Sequence, residues 1–362
     1  MKVFFIVPYP TEGASNRFRV EQYFPYLEKQ GIEFRIRPFI PSDFYKILYK
    51  KGYKVKKAIF FIVSLFNRLI DLFRMPPYDI IFIHRECSPL GPPVFEWIIS
   101  KMKKPIIYDF DDAIFLKNVS FPSRFLSLFK YPSKVGKIIK MSNYIIVSNK
   151  YLQNYSKKFN SRVSVIPTPI DTEKFIFGGS GNVAVDRNNM VVGWIGSATT
   201  AGYLKTLYPV FSKLAKKYSY RLKVVGVGTE IDIPGVDVEN KEWRLESEYE
   251  DYRSLDIGVY PLPDDEWAKG KAGFKAIYYM AAGIPCVASP VGMNKEIIED
   301  GVNGFLANSE EEWIEKLSLL IENPELRERI GLAGRKTVEE RYSVEVNAPK
   351  YLEVLRSVYE GR

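Results

Sequence analysis

The sequence predicts an α/β protein built from two doubly wound parallel-sheet domains, and three observations carry that expectation. At 362 residues the chain is longer than one ordinary core organises. Short apolar runs alternate with amphipathic helical stretches from end to end, the pattern of parallel strands connected by helices. Near the middle, residues 176–189 (IFGGSGNVAVDRNN) are rich in Gly, Asn and Ser and follow neither a helical nor a strand period, which marks a linker.

Within residues 1–175 the expected strands are Lys2–Val7, Glu33–Pro38, Ile80–His84, 105–108, Tyr144–Val147 and 163–166, apolar runs of strand length. Residues 190–345 repeat the scheme, with strands at 190–195, 222–225, Ile257–Tyr260, Cys286–Ala288 and 304–306. From Glu310 onward the period is helical, interrupted at Asn323-Pro324 and Tyr342-Ser343, and residues 346–362 are expected to pack back toward the first domain. The segment Lys54–Arg74 (KVKKAIFFIVSLFNRLIDLFR) is strongly apolar, but Asn67, Arg68 and Asp71 interrupt it short of bilayer length. It reads as an amphipathic helix that either packs on the first sheet or lies on a membrane surface.

Composition narrows the class. With 46% hydrophobic and 26% charged residues the chain is neither disordered nor membrane-spanning. Cys87 and Cys286 belong to no CxxC pair and no zinc spacing, so both read as buried thiols. The opening MKVFFIVPYPTEG has one Lys and an apolar run that breaks at Pro8 and Pro10; it reads as a first strand entering a loop, and a reducing cytoplasmic setting is expected. The net charge of +9 is unevenly spread: residues 1–170 hold 28 Lys+Arg against 12 Asp+Glu, whereas residues 171–362 hold 24 against 31. A basic half of this kind attracts anionic lipid headgroups or phosphorylated substrates. Nucleic acid is not an expected partner, because the basic residues are spread over a whole domain without a reading motif.

In open α/β sheets ligands sit beyond the carboxyl ends of the strands, where helix N-termini offer unpaired N–H groups. Three strand-to-helix turns fit. In the first, Gly13 permits close backbone approach and Ser15 or Asn16 can cap a helix carrying Arg17 and Arg19, either as an anion site or as a capped turn with two surface arginines. The second contains Gly196, Ser197, Thr199 and Thr200, whose backbone and hydroxyls suit a diphosphate or merely cap a helix. The third is Lys271-Ala272-Gly273-Phe274-Lys275, where two lysines at a helix start oppose the dipole unless an anion is bound. By contrast Gly226-Val227-Gly228 lacks the third glycine of a dinucleotide fingerprint. Asp109-Phe110-Asp111-Asp112 matches a DxD metal pattern but equally suits a helix cap or a base. His84, the single histidine, is either a general base or a packing residue, and Trp194, Trp243 and Trp267 either stack on a ligand or fill the core.

From Val191 onward the chain resembles the retaining glycosyltransferases of the GT-B fold, family 4, often called group 1. The segments that carry the resemblance are GWIGSATTAGYL, LKVVGVG, RSLDIGVYPLPDD, KAGFKAIYYMAAGIPCVASPVGMNKEIIEDGVNGFLA and NPELRERIGLAGRKTVEERYS, with looser matches at HRECSPLGPP, YDFDDAIF and IPTPIDTEKF. The resemblance implies two Rossmann-like domains facing a central cleft. It implies transfer of a sugar, with retention, from a nucleoside-diphosphate donor in the second domain to a glycan or lipid-linked acceptor in the first. The sugar nucleotide is then a co-substrate, and neither a cofactor nor a metal is expected. Lys271 and Lys275 are the expected stabilisers of the leaving diphosphate, and Asp111, standing where many relatives have a histidine, is expected to position or deprotonate the acceptor. Gly13, Gly196, Ser197, Thr199, Thr200, Gly273, Phe274, Tyr278 and Glu296 are the expected donor-binding positions. Two departures stand out: relatives place a Glu on each side of a seven-residue gap, one touching the sugar and one the ribose, and here those positions are Gly270 and Tyr278. The alternatives are an epimerase on the same scaffold or a sugar-nucleotide-binding protein without catalysis.

Overall fold

The computed structural model describes residues 1–48, 50, 52–116, 131–175 and 190–361; the linker expected at 176–189 lies outside them. The chain divides into two compact units. The first comprises Met1–Pro169, Gly270–Ala272 and Val344–Arg362, and the second comprises Ile170–Lys269 and Gly273–Ser343.

The first unit holds β1 (Lys2–Val7), β2 (Glu33–Pro38), β3 (Ile80–His84), β4 (Ile106–Phe110), β5 (Tyr144–Val147) and β6 (Val163–Val165) in the order β2-β1-β3-β4-β5-β6. Every pairing is parallel. All residues of β3 and β4 are buried, which is why these strands read as unbroken runs and not as alternations. The core gathers around Phe5, Phe82 and Ile107, and helix Val344–Glu360 closes it by stacking Tyr351 on Tyr23 at 4.1 Å. Around this sheet lie α1 (Ala14–Arg19), α2 (Phe24–Lys29), α3 (Ser42–Leu48) and α4 (Lys54–Arg74).

The second unit holds β7 (Val191–Ile195), β8 (Arg221–Val225), β9 (Asp237–Lys241), β10 (Ile257–Tyr260), β11 (Cys286–Ala288) and β12 (Phe305–Leu306) in the order β12-β11-β10-β7-β8-β9, again all parallel. The sequence pattern misses β9, whose residues DVENK show no apolar alternation. It is an edge strand, held by its ladder to β8 and by an Arg221–Asp237 ion pair at 3.0 Å, so burial leaves little imprint on its composition. Helix Glu310–Glu322 begins where the Ser309 hydroxyl and the Glu312 carboxylate cap each other's backbone N–H groups, and Pro324 opens the next helix at a position where its missing N–H costs nothing.

In each sheet the strand order reverses once, between β1 and β3 in the first and between β7 and β10 in the second. Connections leave in opposite directions at such a point, which opens a crevice at the carboxyl ends of the strands.

Candidate functional site

Each reversal point carries a polar constellation. In the first unit it is built from the turn after β1 and the ends of β3 and β4. Gly13 takes the N-cap position of α1, and neither Ser15 nor Asn16 caps the helix as the sequence suggests. Asn16 instead donates to the Pro10 carbonyl at 3.3 Å and to Glu21 at 2.6 Å. The reading of Arg17 and Arg19 as surface arginines is also corrected: both are buried. Arg19 is drawn inward by Asp109 at the end of β4, to which it presents Nε at 3.3 Å and Nη2 in a second contact, while Nη1 donates to the Ile166 carbonyl at 2.7 Å. Burial alone would lower the Arg19 pKa, but the Asp109 carboxylate outweighs it and holds the guanidinium firmly charged.

His84 is fully buried and links two partners. Its Nδ1 lies 2.6 Å from Asp109 Oδ2 and its Nε2 lies 2.8 Å from Ser15 Oγ. Ser15 Oγ in turn donates to Asp111, at 3.0 Å from Oδ2. Asp109, His84, Ser15 and Asp111 thus form one continuous hydrogen-bonded chain. Arg85 completes the group by donating Nε to Asp111 Oδ1 at 2.8 Å and pairing Nη2 with Asp112. Its backbone is left-handed, φ 61°, a conformation that costs a side-chain-bearing residue roughly 1–2 kcal/mol. That strain sits at the turn leaving β3, where the guanidinium reaches both carboxylates. Burial would raise the Asp111 pKa, but Arg85, His84 and Arg19 together hold its carboxyl well below the usual carboxylate range. Such a carboxylate accepts hydrogen bonds well and takes up protons poorly. Among the described residues no cluster of His, Cys, Asp and Glu is arranged to hold a metal ion, and each carboxylate of the DxD segment faces an arginine.

The second unit's constellation surrounds Lys275. Its Nζ lies 5.1 Å from the centre of the Trp194 ring and 6.0 Å from that of Tyr260, side chains of β7 and β10 on either side of the reversal point. Gly196, next after β7, lies so close that a Cβ there would stand 2.8 Å from the same Nζ. Trp194 is therefore core and at the same time a wall for the ammonium. In the adjoining turn Ser197 Oγ and Thr199 Oγ1 are 2.8 Å apart and exposed, and Thr200 Oγ1 donates back to the Ser197 carbonyl at 3.1 Å. Gly273 is the N-cap of helix Phe274–Ala281 with φ +68°, and any side chain there would strike Ile297, so only glycine lets the helix start where it does. Glu296 lies exposed on the short helix Asn294–Ile297 that packs on Gly273.

Tyr278 is almost fully buried, stacked on Tyr252 at 3.8 Å and edge-on to Phe274. Its hydroxyl donates to Glu248 Oε2 at 3.1 Å, and Trp243 Nε1 donates to Oε1 of the same carboxylate at 3.1 Å. The structure thus brings Gly196 and Lys275 together, and it packs the short helix that carries Glu296 on Gly273. Lys271 falls elsewhere: residues 270–272 group with the first unit, where the Asn149 amide donates to the Gly270 and Lys271 carbonyls at 3.0 and 3.2 Å. Sequence reasoning missed Glu248, and it offered Ser15 only as a helix cap and Arg17 and Arg19 only as anion-site or surface residues, not as members of a buried network. Only the lone His84 closing one strand beside an acidic run closing another hinted at the first network.

Comparison with known proteins agrees with these features. A family model described as glycosyl transferases group 1 matches residues 189–323. Spore coat protein SA of Bacillus subtilis (strain 168) is 36% identical over 84 residues, 22% of this chain and 21% of that protein, so the match spans about a fifth of the relative's length. Sucrose-phosphate synthase from Thermosynechococcus elongatus superposes with a TM-score of 0.72 at 14% identity, covering 100% of both chains. Anabaena HepE, solved with UDP-glucose, gives a TM-score of 0.67 at 15% identity over 99% of this chain and 100% of its own. The group 1 match covers part of the second unit, and the two six-stranded parallel sheets are shared with these solved structures over the whole length, so the chain has the GT-B architecture and carries a segment similar to group 1 glycosyl transferases.

Proposed function

We propose that the chain transfers a sugar from a nucleoside-diphosphate donor to a hydroxyl of a glycan or lipid-linked acceptor, with retention of configuration and without a metal. The single observation that carries this reading is Lys275, an ammonium walled by two aromatic rings and set against Gly196 where the second sheet reverses. A leaving diphosphate develops negative charge, and a fixed cation beside open helix N–H groups meets that charge without reorganisation. The likeness in fold to a protein solved with UDP-glucose supports the donor class. Gly196, Ser197, Thr199, Thr200, Gly273 and Phe274 form the donor-binding turns in this reading, with Glu296 as an outer contact.

The carboxylate that the family pattern places at position 278 is supplied by Glu248, which Tyr278 and Trp243 hold by hydrogen bonds. Tyr278 therefore acts through Glu248 and not on the ribose itself. In the first unit Asp111 aligns the acceptor hydroxyl as a permanently charged hydrogen-bond acceptor; its depressed pKa suits positioning better than deprotonation. The acceptor is met at the inner face of an anionic membrane, consistent with the basic balance of residues 1–170.

A thermal-shift series with UDP, GDP and dTDP tests the donor site. One of the three should raise the melting temperature, and Lys275→Ala should remove that response; a response unaltered in the variant would sink the assignment. The missing carboxylate at Gly270 favours a second reading, a sugar-nucleotide-binding protein without transfer, which predicts the same thermal response with no turnover on any acceptor.

A further inference from the structure

The 21-residue helix α4 is amphipathic the wrong way round for a helix that serves only to cover a sheet. Its inward face buries Ser64, Arg68 and Asp71. Arg68 donates to the Cys87 carbonyl at 3.1 Å and to Asp71 at 3.2 Å, and Arg37 reaches the other oxygen of Asp71 at 2.8 Å. Phe60 and Phe61 pack beside these groups on Phe44 and Phe39. The outward face carries Val55, Ile59, Ile62, Phe66, Leu69 and Phe73, all exposed, with Phe66 at 63% and Phe73 at 85%. Their spacing of four, three, four, three and four residues makes one continuous stripe along about 30 Å of helix. An apolar stripe of this length on the surface of a folded domain marks a contact that the domain does not itself supply.

Charge decides what the contact is. Apart from the stripe, the exposed side chains of α4 are Lys54, Lys56, Arg74 and a few small, apolar or amide residues, and its one acid, Asp71, is buried. A second copy of the chain would bring the same cations toward each other at either end of a paired helix. An anionic bilayer instead accepts the stripe among its acyl chains and the flanking cations among its headgroups. Among the described residues no helix is long and apolar enough to cross a membrane, so α4 lies in the interface and does not span it.

We propose that α4 is the membrane-docking element of this protein, inserting the stripe from Val55 to Phe73 into the headgroup layer of an anionic bilayer. The inference rests on the membrane-bound acceptor proposed above and names the surface that reaches it. Stable seating needs both signals, the apolar stripe and the cations, since either alone gives weak and reversible binding.

The test is flotation of the full chain with vesicles of phosphatidylcholine and phosphatidylglycerol, against vesicles of phosphatidylcholine alone, at low and high salt. The protein should float with the anionic vesicles at low salt and largely stay behind in the other conditions. Phe66→Glu combined with Phe73→Glu should lower vesicle partition by about a hundredfold or more, because each change puts a charge where an exposed aromatic ring would enter the bilayer. Both sites are exposed, so the melting temperature of the variant should equal that of the parent. Absence of flotation, or flotation unaffected by the two substitutions, overturns the proposal. So does a dimer in sedimentation that these substitutions dissolve while vesicles are ignored. The donor site is scored separately: a melting-temperature response to UDP in a chain that fails to float removes the docking surface alone, and flotation without any nucleotide response removes the donor assignment alone.

Discussion

The two reversal points are built on the same topology with opposite electrostatics. In the first unit three carboxylates meet two arginines and a histidine, and the group closes on itself through Ser15. In the second unit an ammonium is walled by aromatic rings beside exposed hydroxyls, and a buried carboxylate, Glu248, is engaged by Tyr278 and Trp243. The first arrangement suits a neutral hydroxyl that needs aligning. The second suits a dianion that needs neutralising. One scaffold therefore carries two opposite local fields because the residues at the strand ends, and not the sheets, set them.

The comparison breaks most visibly at Asp109. Asp109→Ala leaves Arg19 charged and buried without its carboxylate, so equilibrium urea unfolding should show a loss of about 3–5 kcal/mol. Next in size is Lys275→Ala, which removes the cation on the donor side and should lower kcat by about 10²–10³-fold, with the melting temperature of the unliganded protein nearly unchanged. Asp111→Ala tests the other side: transfer should fall by about a hundredfold while UDP still stabilises the protein, and loss of both would show that the two sites are not separable. Tyr278→Phe is a finer probe. Deleting one hydrogen bond to Glu248 should weaken UDP binding by about two- to tenfold in isothermal titration, and an unchanged affinity would remove Glu248 from the donor site.

The smallest effect concerns pH. Because the folded-state pKa of Asp111 is depressed, its contribution to stability is complete above the unfolded value, about 3.9, and is lost as pH falls from there toward the folded value. Melting temperatures measured down the acid limb should therefore fall less steeply for Asp111→Asn than for the parent. Parallel acid limbs would show that Arg85 does not hold the charge.

Much of the architecture was legible without coordinates. Strands β1, β3 and β10 are apolar runs that only a sheet covered on both faces can bury, and the breaks at Asn323-Pro324 and Tyr342-Ser343 coincide with helix boundaries. Strand β9 was not legible, because an edge strand stabilised by backbone pairing and ion pairs carries no apolar signature. The site was legible where local chemistry defines it, as with Gly273 and the lysine at 275. It was illegible where partners are far apart in sequence, as with Arg19 and Asp109 or Tyr278 and Glu248. Arg17 and Arg19 show the limit most plainly, since a short helix with two arginines looks solvent-facing until the carboxylate that draws one of them inside is known.

By itself the amino-acid order determined where most strands and helices form, which turns have the glycines and lysines for an anion, and that one apolar amphipathic helix stops short of bilayer length. Those are local properties, governed by backbone sterics, capping and periodicity within a few residues. Only the folded chain decided which charges neutralise one another, that Lys275 meets Gly196 and Trp194, and that the apolar stripe of α4 faces outward while its Arg and Asp face in. Charge pairing and burial depend on distances between segments tens to hundreds of residues apart, and no window of sequence contains them.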